Sequence, residues 1–224
     1  MFFPAFNEEG NIVTTVQRAA AALDPLGLDA LELVVVDDGS TDATGRLADE
    51  LALADPRVRV VHHPRNQGYG AALKTGFAAA RHGWVFFTDG DGQFDVADIE
   101  RLLPFAGRYD AVIGYRLDRQ DSRLRKLNTF LWTQLVRRTF DLHVRDVDCA
   151  FKLLRRSALA SLPPLQSDGA LVSTELLVRW CRAGFTWQEV GVNHYPRRAG
   201  TATGANPRVI ARALRDVFTL RRSL

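Results

Sequence analysis

Trp84-Val85-Phe86-Phe87-Thr88-Asp89-Gly90-Asp91-Gly92-Gln93 joins a five-residue apolar run of β type to a turn of two aspartates and two glycines. That junction decides the fold, because the chain makes it repeatedly. Upstream, Leu31 to Val36 runs into Asp37-Asp38-Gly39-Ser40, and Val58 to His62 runs into His63-Pro64-Arg65-Asn66-Gln67-Gly68. Helical patterns lie between the runs, at Asn11 to Leu23, Thr41 to Leu53 and Gly70 to Arg81. Strand and helix in alternation predict a parallel sheet covered by helices on both faces. Open α/β sheets bind ligands outside the carboxyl ends of their strands. Three polar turns at three such ends therefore predict one site.

Downstream, a strand is expected at Ala111 to Tyr115, helices at Arg123 to Phe140 and Thr174 to Ala183, and a strand at Thr186 to Val192. An irregular stretch from Tyr195 to Pro207 precedes a last helix, Arg208 to Arg222. In it Val209, Ile210, Ala213, Leu214, Val217 and Phe218 recur at helical spacing beside Arg208, Arg212, Arg215, Arg221 and Arg222. The expected organisation is one α/β, Rossmann-like unit over residues 1–206, in two halves at 1–112 and 113–206, with a basic amphipathic helix at 207–224.

The 224 residues are 46% hydrophobic and 25% charged, enough apolar material for one sizeable core. Runs such as Leu33-Val34-Val35-Val36 fall far short of the roughly 18 apolar residues of a membrane span. Cys149 and Cys181 make neither a disulfide framework nor a metal knuckle, so burial of both thiols in a reducing cytoplasm is expected. The net charge of +3 hides a polarity. Residues 1–112 carry 9 Lys and Arg against 17 Asp and Glu, whereas residues 113–224 carry 20 against 9. A half at +11 attracts phosphates or is a solvated Arg-rich surface. The acidic half, and the lack of a recognised DNA or RNA module, oppose nucleic-acid binding.

Asp89 and Asp91, with glycines that let the backbone turn, suit a hard divalent cation held against a diphosphate, and the Gln93 carbonyl adds a third oxygen. Solvated turns also carry this pattern. In Asp37-Asp38-Gly39-Ser40-Thr41-Asp42, Ser40 or Thr41 caps the next helix and Asp42 favours its positive end. The two preceding aspartates suit the N–H of a base or a ribose hydroxyl. Pro4-Ala5-Phe6-Asn7-Glu8-Glu9 frames a base with backbone and aromatic surface, or is a plain Asn-capped helix start.

In order along nearly the whole chain, these motifs resemble the family 2 glycosyltransferases of the GT-A fold, and within them the polyprenyl-phosphate sugar transferases. The matching segments also include Asn66-Gln67-Gly68-Tyr69-Gly70-Ala71-Ala72-Leu73-Lys74, Gly114-Tyr115-Arg116, Asp146-Val147-Asp148-Cys149-Ala150-Phe151-Lys152 and Arg197-Arg198-Ala199-Gly200-Thr201. The resemblance implies that Pro4, Ala5, Phe6, Glu8, Val36, Asp38 and Lys74 hold a nucleotide-sugar donor, UDP- or GDP-linked. Asp89, Gly90, Asp91 and Gln93 hold Mg²⁺ or Mn²⁺ and the diphosphate. Arg116 and Arg197, with Arg123, Arg125 and Arg198, meet phosphates of donor and acceptor. By this reading residues 1–112 are the nucleotide-sugar half and 113–206 the acceptor half. Only Met1-Phe2-Phe3 precede Pro4, where the family carries several apolar residues, so a shortened first strand is expected. Ala150 stands where the family has glycine, which tightens the acceptor side.

Inverting transfer to a sugar hydroxyl normally needs a carboxylate base. Polysaccharide-building relatives carry a Thr-Glu-Asp triplet, and the corresponding stretch here reads Ser173-Thr174-Glu175-Leu176. A phosphate monoester needs no base, so the missing aspartate favours a polyprenyl phosphate acceptor, with Asp146 or Glu175 as the remaining candidates for a base. The last helix, and Phe130, Leu131, Trp132 and Leu135 beside Arg123, Arg125, Lys126, Arg137 and Arg138, fit an anionic membrane surface on its cytoplasmic face, or pack on the domain with snorkelling arginines. Alternatives are a saccharide-hydroxyl acceptor and a non-catalytic nucleotide-sugar-binding module.

Overall fold

The computed structural model describes residues 1–117, 123–196 and 216–222, with the side chains of 123–129 excluded. Seven strands form one sheet: β1 (Phe2–Ala5), β2 (Leu33–Asp37), β3 (Val58–His62), β4 (Trp84–Thr88), β5 (Ala111–Arg116), β6 (Phe151–Arg155) and β7 (Trp187–Val192). Their spatial order is β3-β2-β1-β4-β6-β5-β7. β1 pairs in parallel with β2 and β4, β2 with β3, and β5 with β7. β6 runs antiparallel to both of its neighbours.

Helices α1 (Ile12–Leu23), α2 (Thr44–Ala54) and α3 (Tyr69–Ala79) follow the first three strands, as the alternation predicts. α4 (Arg123–Phe140), α5 (Arg156–Ser161) and α6 (Val172–Arg182) complete the cover. Two elements escaped the sequence reading. β6, Phe-Lys-Leu-Leu-Arg, has no β-branched residue and carries two cations, so no strand pattern stands out. α5 is too short to show a helical period.

α2 begins at Thr44, three residues later than expected. Neither Ser40 nor Thr41 caps it: Asp42 accepts the Thr44 amide at 2.9 Å and its hydroxyl at 2.5 Å. Burial raises the Asp42 pKa, but these bonds outweigh it and hold the carboxyl below its ordinary value.

The four-residue β1 is wholly buried between β2 and β4. An aromatic cluster holds it. Phe2 stacks on Phe87 with ring centroids 5.5 Å apart, and Phe77 of α3 meets both edge-on at 5.2 and 5.5 Å. Each such buried side chain contributes about 1.5–3 kcal/mol of transfer free energy. Gly76 makes the approach possible, since a Cβ there would lie 2.2 Å from the Phe2 ring.

Residues 216–222 are helical, and residues 208–215 of the expected last helix lie outside the described residues. Val217 and Leu220 belong to the domain's own buried core, so Val217 does not face outward as the membrane reading expected, whereas Phe218 is 64% exposed. Of the two thiols, Cys149 is buried and Cys181 exposed on α6, contrary to the expected burial of both. Among the described residues, no helix is long and apolar enough to cross a membrane.

Candidate active site

β1, β2 and β4 run the same way, so the segments after them open at one edge of the sheet. β6 runs against them, so its start, the turn from Asp146 to Cys149, reaches that same edge. This reversal brings the second acidic motif to the first.

The first two loops are stitched to each other. Asn7 takes a left-handed backbone (φ 55°); its side-chain oxygen accepts the Thr41 amide at 2.8 Å, and its own amide donates to Ser40 Oγ at 3.0 Å. Glu8 N donates to Thr44 Oγ1 at 2.7 Å, and Asn11 Nδ2 donates to Glu8 Oε2 at 2.7 Å. Asn7 is therefore a loop tie and caps no helix. Pro4 and Ala5 are buried in β1, and Phe6 stands 41% exposed at the sheet edge. Val36 is wholly buried in β2.

Asp38 is buried and heavily bonded. Its Oδ1 lies 2.6 Å from His63 Nδ1 and accepts the Gln67 amide at 2.9 Å, while Oδ2 accepts the Gly68 amide at 2.9 Å. His63 continues to Thr75 Oγ1 at 2.8 Å. Asp38 thus shapes the loop that follows β3 from within. Asp37 does the same one residue earlier, accepting the Ser40 amide at 3.0 Å and facing His62 Nδ1 at 2.9 Å. Asp37 and Asp49 outweigh burial and raise the His62 pKa, the Asp37 hydrogen bond being the largest cause.

Gly90 rests against β1, its amide donating to Pro4 O at 3.2 Å, and Gly92 has φ 68°. Asp89 accepts the Tyr69 hydroxyl at 2.9 Å. Burial first, and then the like charge of Asp91, push the Asp89 carboxyl up to about 7. Burial and the same aspartates push Tyr69 well above its ordinary range. Two carboxylates of like charge held this close are chemically suited to a hard cation. Among the described residues no three His, Cys, Asp or Glu side chains gather as a complete cage. That fits Mg²⁺ or Mn²⁺, which take one or two carboxylates and fill the remaining positions with phosphate and water. Gln93 Nε2 donates to Tyr195 O at 3.0 Å, and the Tyr195 amide returns to Gln93 O at 2.7 Å, fastening the segment before Arg197 to this turn.

At the end of β5, Arg116 grips Asp146 with two bonds of 2.7 Å, from Nε to Oδ2 and from Nη2 to Oδ1. Burial works against the Arg116 charge, but Asp146 outweighs it and raises the pKa further. Glu175 is 0% exposed and accepts the Gln166 amide at 2.9 Å, the Ser167 amide at 2.8 Å and Arg179 Nε at 2.8 Å. Burial raises its pKa, and those donors more than reverse the effect. Glu175 is an anchor of the 166–167 loop.

Lys74, expected at the donor, pairs with Asp168 at 2.5 Å and lines a groove of about 370 Å³ with Arg156 and Leu159. Arg197 and Arg198, and the side chains of Arg123 and Arg125, lie outside the described residues. Sequence reasoning missed Tyr69, His63 and Lys152. The first two became visible as partners of Asp89 and Asp38 only when the chain was folded. Lys152 was legible as an odd cation in an apolar run.

Compared with known proteins, residues 2–162 match the profile of Glycosyl transferase family 2. Glycosyltransferase AglD of Haloferax volcanii is 36% identical over 202 residues, covering 87% of this chain and 32% of the relative, so the chain spans about a third of that protein's length. Polyprenol monophosphomannose synthase of Mycolicibacterium smegmatis is 32% identical over 227 residues, covering 93% of this chain and 82% of the relative. Among solved structures, glucosyl-3-phosphoglycerate synthase from Mycobacterium tuberculosis, crystallised with Mn²⁺, UDP-glucose and phosphoglyceric acid, superposes with a TM-score of 0.73 at 22% identity. The match covers 98% of this chain and 78% of that one. The fold is a mostly parallel, GT-A-like sheet flanked by helices. The chain belongs to glycosyl transferase family 2.

Proposed function

We propose that the protein is an inverting, metal-dependent glycosyltransferase that moves one sugar from a UDP- or GDP-linked donor to a polyprenyl phosphate. The observation that carries the choice of acceptor is the commitment of both candidate bases: Asp146 is held by the Arg116 fork, and Glu175 is sealed beneath Arg179. Both are therefore poorly placed to take the proton that a hydroxyl acceptor must give up. A phosphate monoester already carries its negative charge near pH 7. The relative named polyprenol monophosphomannose synthase, which this chain covers over most of its length, supports the same choice.

In this reading a nucleoside lies over the Phe6 ring and the Asp38-ordered loop, with its diphosphate toward Asp89 and Asp91. Mg²⁺ or Mn²⁺ held by Asp89, Asp91 and Gln93 would neutralise the leaving diphosphate. Arg116 offers a guanidinium, braced by Asp146, toward phosphate oxygens. An acceptor phosphate oxygen attacks the anomeric carbon in line, a new C–O bond forms, and the bond to the diphosphate breaks. The nucleoside diphosphate departs with the electron pair and no proton changes hands. Arg123, Arg125, Arg197 and Arg198 are further candidates for the acceptor phosphate. Residues 1–206 form the catalytic unit, donor side at 1–112 and acceptor side at 113–206, with 207–224 as an accessory basic segment.

The exposed Phe130, Leu131 and Phe218, with Arg138, Arg221 and Arg222, support peripheral contact with an anionic bilayer on its cytoplasmic face. A radiolabel assay tests the whole reading: a panel of UDP- and GDP-sugars against polyprenyl phosphate and against soluble saccharides, with and without chelator, plus sedimentation on anionic liposomes. Metal-dependent label in the lipid phase is expected. Equal transfer to hydroxyl acceptors, or tight nucleotide binding without turnover, overturns it.

A further inference from the structure

Lys152 sits in the middle of β6, opposite Phe87 of β4 and Ile113 of β5, and is 0% exposed. An interior strand position of this kind is ordinarily apolar, and an ammonium there stands only with compensation on several sides. Its Nζ donates to Val147 O at 3.2 Å and to Cys149 O, two carbonyls of the turn that starts β6. It lies 5.7 Å from the centroid of the Phe87 ring. Burial works against its charge, and the negative charges of Asp146 and Asp148 work for it.

The same ammonium also favours ionised Asp89 across the sheet edge. Among the described residues, Asp89, Asp91, Asp146 and Asp148 share one electrostatic neighbourhood with Arg116 and Lys152. A leucine at 152 would fill the space but leave two buried carbonyls without their donor and the acidic cluster without its inner cation.

We propose that Lys152 is a positioning residue: its grip on the Val147 and Cys149 carbonyls holds the 146–149 turn in the shape from which Asp146 orients Arg116 toward the acceptor. Lys152 itself touches no substrate. Its influence travels through the turn to Asp146 and from there to the guanidinium. This inference rests on the proposed transferase reading for its kinetic consequence, but not for its structural one.

The test uses the full chain with Lys152→Met, which keeps the length and loses charge and donors. Amide hydrogen exchange across residues 144–152 is expected to quicken by about tenfold or more while α6 stays protected. With an active donor and a polyprenyl phosphate, kcat/KM for the acceptor is expected to fall about tenfold or more, and affinity for the metal–nucleotide to stay within about twofold. Combined with Arg116→Lys, the loss is expected to be clearly less than additive, because both changes break one chain of contacts. Unchanged exchange in the 146–149 turn, or equal loss of donor affinity and acceptor kcat/KM, overturns the proposal. Should Lys152→Met not fold, Lys152→Gln, with an N–H donor and no charge, is judged by the same readouts. If the wild-type protein transfers to no acceptor, the transferase reading fails, and the exchange measurement still decides what Lys152 holds.

Discussion

Replacing Asp91 with Asn should make the metal-free protein more resistant to unfolding at alkaline pH while abolishing transfer. The Asp89 carboxyl stands at about 7 in the fold against an ordinary 3.8. Between those values the unfolded chain releases its proton and the folded chain keeps it, so stability falls as pH rises through that window and levels off above about 7. At about 1.4 kcal/mol per pH unit, the ionised carboxylate costs the fold at most about 4 kcal/mol at pH 8. Asp89 is only half-buried, and solvent screening brings the expected cost nearer about 2 kcal/mol. Burial is the larger cause and Asp91 the second, so Asp91→Asn should recover on the order of 1 kcal/mol. The assay is urea unfolding of both proteins at pH 5 and pH 8 in chelator. The stability difference between them should shift toward the variant by that amount on going from pH 5 to pH 8. Saturating Mn²⁺ should then stabilise the wild type at pH 8 and leave the variant nearly unmoved, since a ligand stabilises only the state that binds it. A pH-independent difference, or one moving toward the wild type, would refute the claim that the two aspartates repel each other and await a cation.

Asp38→Ala removes the acceptor from His63 and from the Gln67 and Gly68 amides, and should cost about 2–4 kcal/mol in urea unfolding, with nucleotide affinity lost in calorimetry. Gly39→Ala combines φ 69° with a Cβ 2.3 Å from the Arg65 backbone; a loss of at least about 1–3 kcal/mol should accompany weakened donor binding. Arg116→Lys gives up the two-bond fork to Asp146 and should lower acceptor kcat/KM by about tenfold or more at nearly constant donor affinity, read by steady-state kinetics.

The alternation of Val-rich runs with helical periods carried the parallel half of the fold, because β1, β2 and β4 are buried almost throughout and read as apolar runs, and the edge strand β3 still shows three valines. The DGDG turn was legible for a similar local reason, since tight turns require glycine and a divalent cation requires carboxylate. β6 was not legible: its strand character comes from being clamped between β4 and β5, neighbours distant in the chain, and not from its own residue preferences. The roles of Asp38 and Glu175 were hidden in the same way. A carboxylate in a sequence shows what it can bind, and only the fold shows what it is already bonded to. Asp38 turned out to be occupied by the loop after β3, and Glu175 by Arg179 and two amides.

What the sequence determined by itself, then, was the set of short-range choices: which runs extend, where the backbone turns, and which oxygens gather after β4. What the tertiary structure alone decided was pairing. The reversal of β6 carries Asp146 to the edge already occupied by Asp89, and there Arg116 closes on it and Lys152 braces the turn from inside. The Arg116–Asp146 pair joins residues 30 positions apart and the Lys152 bonds span only 5 and 3, but the low-dielectric interior that makes both strong exists only once the sheet has formed.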